Sequence, residues 1–232
     1  SSPFPGCREE ASPVSNPRKY WDRRYAAGGT SGLGSVGTLR DWKHQVILSY
    51  AGTPASVIDV GCGDLSFWHG CPPESYTGID LSTVIIARNQ RRYPDRRWIC
   101  SSGSVRPPVT APVVLCLDLL FHLLDETEYR RTLETLCACS ERWIFIYTWH
   151  TNPIPAIRWQ IRVDHLRHLR LRAFAASFWD LTSDHVYEQF RNLRTDLPLF
   201  TAAGFDLDRF VPYDQVGGMY VFRKREEKHE DP

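Results

Sequence analysis

The chain has 232 residues, of which 42% are hydrophobic and 24% charged, and its formal net charge is +1. That length fits one domain with a sizeable core, and the composition matches globular averages. The near-neutral charge excludes a chain-wide field for nucleic acid or an acidic membrane, and no apolar run approaches the length of a membrane span.

Residues 1–16 are rich in Ser and Pro and are expected to be disordered. Residues 17–26, P-R-K-Y-W-D-R-R-Y-A, read as a short helix with Pro17 at its start. The stretch 28–37 follows, with five glycines among ten residues. Its own side chains cannot hold such a loop, so it is either a flexible linker or a backbone that wraps a ligand. Residues 38–51 read as a helix leading into the first strand, about 56–60. A glycine turn comes next, and a helix is expected after it.

The second strand ends at Asp80, and a helix runs from Ser82 to Arg92 with Pro94 beyond it. The third strand is Arg97–Ser101, and Pro107, Pro108 and Pro112 mark a loop. The fourth strand is Val113–Leu117, a helix spans about 126–139, and the fifth strand is Trp143–Thr148. Near the end, 203–212 and 218–224 read as two strands joined by a short loop. The alternation specifies an α/β fold: a doubly wound, mostly parallel, seven-stranded Rossmann-like sheet with an antiparallel C-terminal hairpin. The domain is read as 17–224, with 225–232 as a charged tail.

Two further features belong to this reading. Segment 152–190 is too long for a simple loop, and Ile157, Ile161, Leu166 and Phe174 suggest helices that are rich in Arg. The seven cysteines are scattered. Cys62, Cys100 and Cys116 fall in apolar strand-like runs and are expected as buried thiols, which points to a reducing, cytoplasmic setting. Only Cys137 and Cys139 are close together, and without a second pair no metal site is read there. The chain opens on Ser1, with Met219 its one methionine, so Ser1 is expected to be a cut end.

The most informative stretch is V-I-D-V-G-C-G-D-L-S-F, residues 57–67. A β-branched apolar run meets Asp59 and then Gly61-Cys62-Gly63, and Asp80 closes the next strand seventeen residues after Gly63. Glycines let the backbone turn tightly and approach a ligand, and an acid beyond the second strand can hold a ribose diol. A nucleoside-containing cofactor is implied, either a dinucleotide or an adenosyl sulfonium. A dinucleotide turn wants G-x-G-x-x-G or A with a helix N-terminus facing pyrophosphate, but here the third position is Ser66. Asp59 would repel a pyrophosphate, whereas a cationic ammonium suits it.

The pattern D-x-G-x-G followed by I-D-L-S resembles class I S-adenosylmethionine-dependent methyltransferases. The N-terminal run K-Y-W-D-R-R-Y-x-x-G-G-T-S-G-x-G-S-x-G is similar to the start of a bacterial-type group that includes glycan-modifying enzymes. The resemblance covers about residues 17–224. It implies S-adenosylmethionine as cofactor and S-adenosylhomocysteine as product. It also implies that Gly61, Cys62 and Gly63 leave room for the methionine part, that Asp59 orients that part and that Asp80 and Leu81 meet the ribose. Tyr20, Trp21 and Tyr25 would close over the cofactor with Gly29 and Thr30 of the glycine loop. The third strand departs from the family pattern. Where relatives have an acid for the adenine amino group, this chain has Ser101 and Ser102.

Ligands bind at the carboxyl ends of strands in open α/β sheets, which selects Asp118, His122 and His150 as catalytic candidates. Either histidine could take the proton of a hydroxyl acceptor, with Asp118 orienting His122 if the turn between them is helical. A packed histidine beside Phe121 is the competing reading. The 152–190 segment resembles a substrate lid, with Arg158, Trp159 and Arg162 toward the acceptor; a solvated basic face competes with that. The expected acceptor is an oxygen of a small molecule or sugar. An RNA or protein acceptor gripped by the basic segment, or a non-catalytic cofactor-binding subunit, are the alternatives. Oligomeric state is left open.

Overall fold

A computed structural model describes residues 16–155 and 188–226. The strands are β1 (Val57–Val60), β2 (Tyr76–Asp80), β3 (Arg97–Cys100), β4 (Ala111–Leu117), β5 (Ser140–Trp149), β6 (Phe205–Pro212) and β7 (Gly217–Lys224). They form one sheet in the order β3-β2-β1-β4-β5-β7-β6. The first five are mutually parallel, and β7 runs antiparallel to both β5 and β6. The helices are α1 (Pro17–Ala26), α2 (Gly37–Ala51), α3 (Thr83–Arg92), α4 (Glu126–Cys139) and α5 (Leu197–Ala202). The doubly wound sheet and terminal hairpin expected from the sequence are present.

Strand β1 is buried along its whole length because both sheet faces are covered. Its alternation divides the core. Ile58 and Val60 join Leu133, Leu136 and Phe200 on the face covered by α4 and α5. Val57 points the other way, to Val46, Ile47, Ile85 and Ile86 of α2 and α3. Phe200 stacks on Phe222 at 3.9 Å between ring centroids, which fastens α5 to the hairpin.

Three expectations change. Residues 61–70 form successive turns and 71–75 are irregular, with no helix. Leu65 and His69, like Gly61, Gly63 and Gly70, have positive φ, which a right-handed helix cannot contain. Cys100 is exposed, because β3 is an edge strand with one neighbour, while Cys62 and Cys116 are buried as expected. Strand β5 is longer than expected, since β4 pairs with it from Ser140 and β7 as far as Trp149. The expected N-terminal disorder up to residue 15, most of segment 152–190 and tail residues 227–232 lie outside the described residues. Among the described residues, no helix is long and apolar enough to cross a membrane.

Candidate active site

Parallel strands deliver their last residues to one edge of the sheet, and a cleft opens there. Its floor is Asp59, Gly61 and Cys62, and Asp80 and Leu81 stand at the end of β2. Gly61 has φ +82°, and its N–H and that of Cys62 both donate to the Ile79 carbonyl, at 2.8 and 3.0 Å. The turn is thereby tied to β2. The Gly63 N–H donates to Asp80 Oδ2 at 3.0 Å and the Ser82 N–H to Oδ1 at 2.8 Å. Each carboxylate oxygen keeps a lone pair for a ligand. Burial pushes the Asp80 carboxyl up to about 6, against the pull of these two amides.

Asp59 is buried beneath the turn. Trp68 Nε1 and the Tyr76 hydroxyl both donate to its Oδ2, at 2.9 and 2.8 Å. Burial raises its carboxyl pKa, and the two donors only partly offset that. Beyond β3 the wall is Ser101, Ser102 and Gly103, joined by Glu128 from the first turn of α4. The Ser102 hydroxyl donates to the Glu128 carboxylate.

On the opposite side stand Leu117, Asp118, Leu119, His122 and Leu123, from the end of β4 and the short 3₁₀ turn Leu120–His122. Trp21 of α1 meets the His122 ring edge-on at 5.1 Å. Trp21, Tyr25, Ser31 and Ser35 complete the roof.

Helix α1 is positioned by Asp22, which caps the start of α3. Its carboxylate accepts from the Ser82 hydroxyl at 2.6 Å, the Thr83 hydroxyl at 3.0 Å and the Val84 N–H at 3.2 Å. Burial alone would raise the Asp22 carboxyl, but these hydrogen bonds hold it below its ordinary value. A negative charge at a helix N-terminus is favourable. Asp22→Ala is expected to cost about 0.5–2 kcal/mol of stability, the scale of a helix-capping contact, beside the N-cap Ser82. Urea denaturation measures it, and an unchanged midpoint would reject the capping role.

No family model matches the chain, and no curated protein matches it. Solved structures do. A magnesium protoporphyrin IX methyltransferase from Synechocystis, with bound S-adenosylhomocysteine, is 14% identical, with a TM-score of 0.60 over 90% of this chain and 98% of that one. The N-methyltransferase NodS of Bradyrhizobium japonicum, bound to the same ligand, is 15% identical with a TM-score of 0.61 and the same coverages. A 1,6-didemethyltoxoflavin N1-methyltransferase from Burkholderia thailandensis is 14% identical, with a TM-score of 0.58 over 93% of each chain. The fold is the class I methyltransferase fold.

Within this methyltransferase fold, eleven residues singled out from the sequence meet at one cleft: Trp21, Tyr25, Asp59, Gly61, Cys62, Asp80, Leu81, Ser101, Ser102, Asp118 and His122. Gly63 lies just behind the wall, holding Asp80. Tyr20 packs edge-on against Trp21 at 5.2 Å. Gly29 and Thr30 tie the glycine loop to α1, with the Gly29 N–H on the Arg24 carbonyl and Arg24 Nε on the Thr30 carbonyl. His150 is not among the wall residues. Its Nε2 lies 3.2 Å from the Asp214 carbonyl and its ring packs on Phe210 of the hairpin. Asp118 does not orient His122; its carboxylate pairs with Lys43 of α2 at 2.5 Å. Arg158, Trp159 and Arg162 lie outside the described residues.

Four residues at or behind the site were missed from the sequence. Ser31 and Ser35 sit in the glycine loop, whose backbone alone had been considered. Glu128 falls at the third position after the cap Asp125, where an acid reads as part of a capping pattern. Lys43 is one polar residue in a mixed helix, and nothing in its local sequence marks it as buried.

Proposed function

We propose that the chain transfers a methyl group from S-adenosylmethionine to an oxygen of a small molecule or sugar. One observation carries the cofactor. Four carboxylates, those of Asp59, Asp80, Asp118 and Glu128, border the cleft, Asp118 being paired with Lys43 behind it, and no Arg or Lys lines the cleft among the described residues. Such a lining favours a cationic sulfonium and ammonium and opposes a pyrophosphate. The absence of a helix after Gly63 points the same way, since no helix N-terminus follows the turn to receive phosphate.

In this reading Asp80 accepts the two ribose hydroxyls. Ser102 and Glu128 stand toward the adenine, with Glu128 supplying from α4 the acid that β3 lacks. The floor around Gly61 takes the methionine portion. Leu119, His122 and Leu123 would then border the acceptor side of the cleft. When the cofactor is bound, its sulfonium supplies an electrophilic methyl for in-line displacement. The chain's part is to align the acceptor, exclude water and take the hydroxyl proton at His122.

Calorimetry with S-adenosylhomocysteine and with NAD tests the reading. Micromolar binding of the first is expected. Tight binding of NAD with no response to the adenosyl ligand would reject it. Asp80→Ala should weaken binding by about 1–3 kcal/mol, the scale for hydrogen bonds to a charged group.

The ionised form of Asp80 is the better ribose acceptor, so affinity should fall as pH drops below about 6 and stay level above it. Asp80→Asn, which does not titrate, should bind weakly with a flat profile. Linkage to folding has the opposite sense. A carboxyl raised from 3.8 to about 6 contributes stability below 3.8 and loses it as pH rises through about 6.

A further inference from the structure

The glycine-rich loop and the fully buried Lys43 take no part in the chemistry above. Lys43 sits in α2, just after the loop. Its Nζ donates to the Gly34 carbonyl at 3.0 Å and to Asp118 Oδ2 at 2.5 Å, and lies 3.8 Å from the centroid of the Tyr147 ring. The ammonium therefore touches the loop, the end of β4 and the floor of the sheet at once. Burial lowers its pKa, and the Asp118 charge offsets only part of that.

A buried ion pair is weak evidence for stability, because desolvation can exceed the attraction. Its geometry suggests another role. Asp118 adopts φ +58°, a left-handed conformation uncommon for a non-glycine residue, while its N–H donates to the Tyr147 carbonyl at 3.1 Å. That backbone turn presents the carboxylate to both Lys43 and the loop. A Cβ on Gly34 would come within 2.5 Å of the Asp118 carboxylate, so the loop can approach this closely only with glycine there.

The loop's other end is fixed to the turn after β1. The Ser31 hydroxyl donates to Asp64 Oδ1 at 2.7 Å, and its N–H to Oδ2 at 3.2 Å. Ser31, at this anchor, and Ser35, next to Gly34, both reach the cleft wall. Leu33 is 87% exposed, so the apolar side chain at the loop's tip does not hold it down.

We propose that Lys43 is a positioning residue: with Asp118 it forms a buried latch that fastens the glycine-rich loop to the carboxyl end of β4 and so sets one wall of the cofactor cleft. The part of this that concerns the cofactor rests on the reading given under Proposed function. The latch itself is a property of the chain.

Amide hydrogen exchange over residues 31–36 reads the latch directly, and calorimetry with S-adenosylhomocysteine reads its effect on the cleft. Lys43→Met removes the bridge. Gly34→Ala pushes the loop away while leaving both charges in place, so it serves if the Lys43 variant fails to fold. Leu33→Ala is the control within the loop. Lys43→Met and Gly34→Ala should each speed exchange in 31–36 by at least about tenfold and raise the Kd by about tenfold, while Leu33→Ala changes neither.

Unchanged exchange in the folded variants overturns the latch. Faster exchange with wild-type affinity overturns its role in the cleft. If the wild-type protein does not bind S-adenosylhomocysteine, the cofactor reading fails, and exchange alone decides the latch.

Discussion

Replacing His122 by Ala is expected to lower turnover on a hydroxyl acceptor by roughly 10²–10⁴, the contribution of a well-placed general base, with cofactor affinity nearly unchanged. A neutral hydroxyl is a poor nucleophile toward a sulfonium methyl, so removing its proton as the bond forms is the step the protein can most assist. His122 is the histidine on the cleft wall among the described residues, at the end of the 3₁₀ turn that follows β4. Its ring is held between Trp21 at 5.1 Å and Phe121 at 4.6 Å. Asp118 is engaged by Lys43, and both aromatic rings pack against the imidazole. His150→Ala should leave turnover within about twofold, since His150 faces the hairpin. Full turnover in both single variants and in the double variant would remove both histidines from the chemistry. Positioning and desolvation, or another base, would then have to carry the step.

The contrast between His122 and His150 marks where sequence reading stops. Both follow strands at the carboxyl edge, and the chain itself does not say which way each side chain turns. That depends on the β5–β7 register, in which Trp149 faces Gly217 and the following residues fold onto the loop at Asp214. Strand ends were legible because burial on both faces demands β-branched apolar runs, as in Val57–Val60. The hairpin was legible from its two apolar runs. The turns over 61–70 were not. Leu65 and His69 adopt left-handed backbone under tertiary pressure, and neither residue type signals it. The place of Asp80 at the cleft was legible because it closes a strand at the carboxyl edge. Glu128 and Lys43 were not, because each reaches the cleft region from a helix and not from a strand end.

Asp59→Ala is expected to destabilise the fold by about 2–5 kcal/mol, since it strands two buried donors and leaves a small cavity. Trp68 Nε1 and the Tyr76 hydroxyl share Oδ2, and removing the carboxylate orphans both at once. Tyr76→Phe alone takes one hydrogen bond from a buried carboxylate and should cost about 1–3 kcal/mol. In the Asp59→Ala background the same change should cost almost nothing or restore stability, because the orphaned hydroxyl is gone with it. Urea denaturation of the four proteins closes this cycle, and strict additivity would show that the carboxylate does not hold Tyr76. The same residue also carries the strongest test of charge in the cleft. Both chain donors fall on Oδ2, while Asp59 lines the floor, so Oδ1 is available to the ammonium of the bound cofactor. Asp59→Asn keeps the shape and loses the charge. It should weaken S-adenosylhomocysteine by at least about tenfold, the scale of one charge-assisted hydrogen bond, in a protein that calorimetry finds still folded. Wild-type affinity in that variant would leave Asp59 as a purely structural anchor beneath the turn and pass the ammonium to Asp118 or a backbone carbonyl.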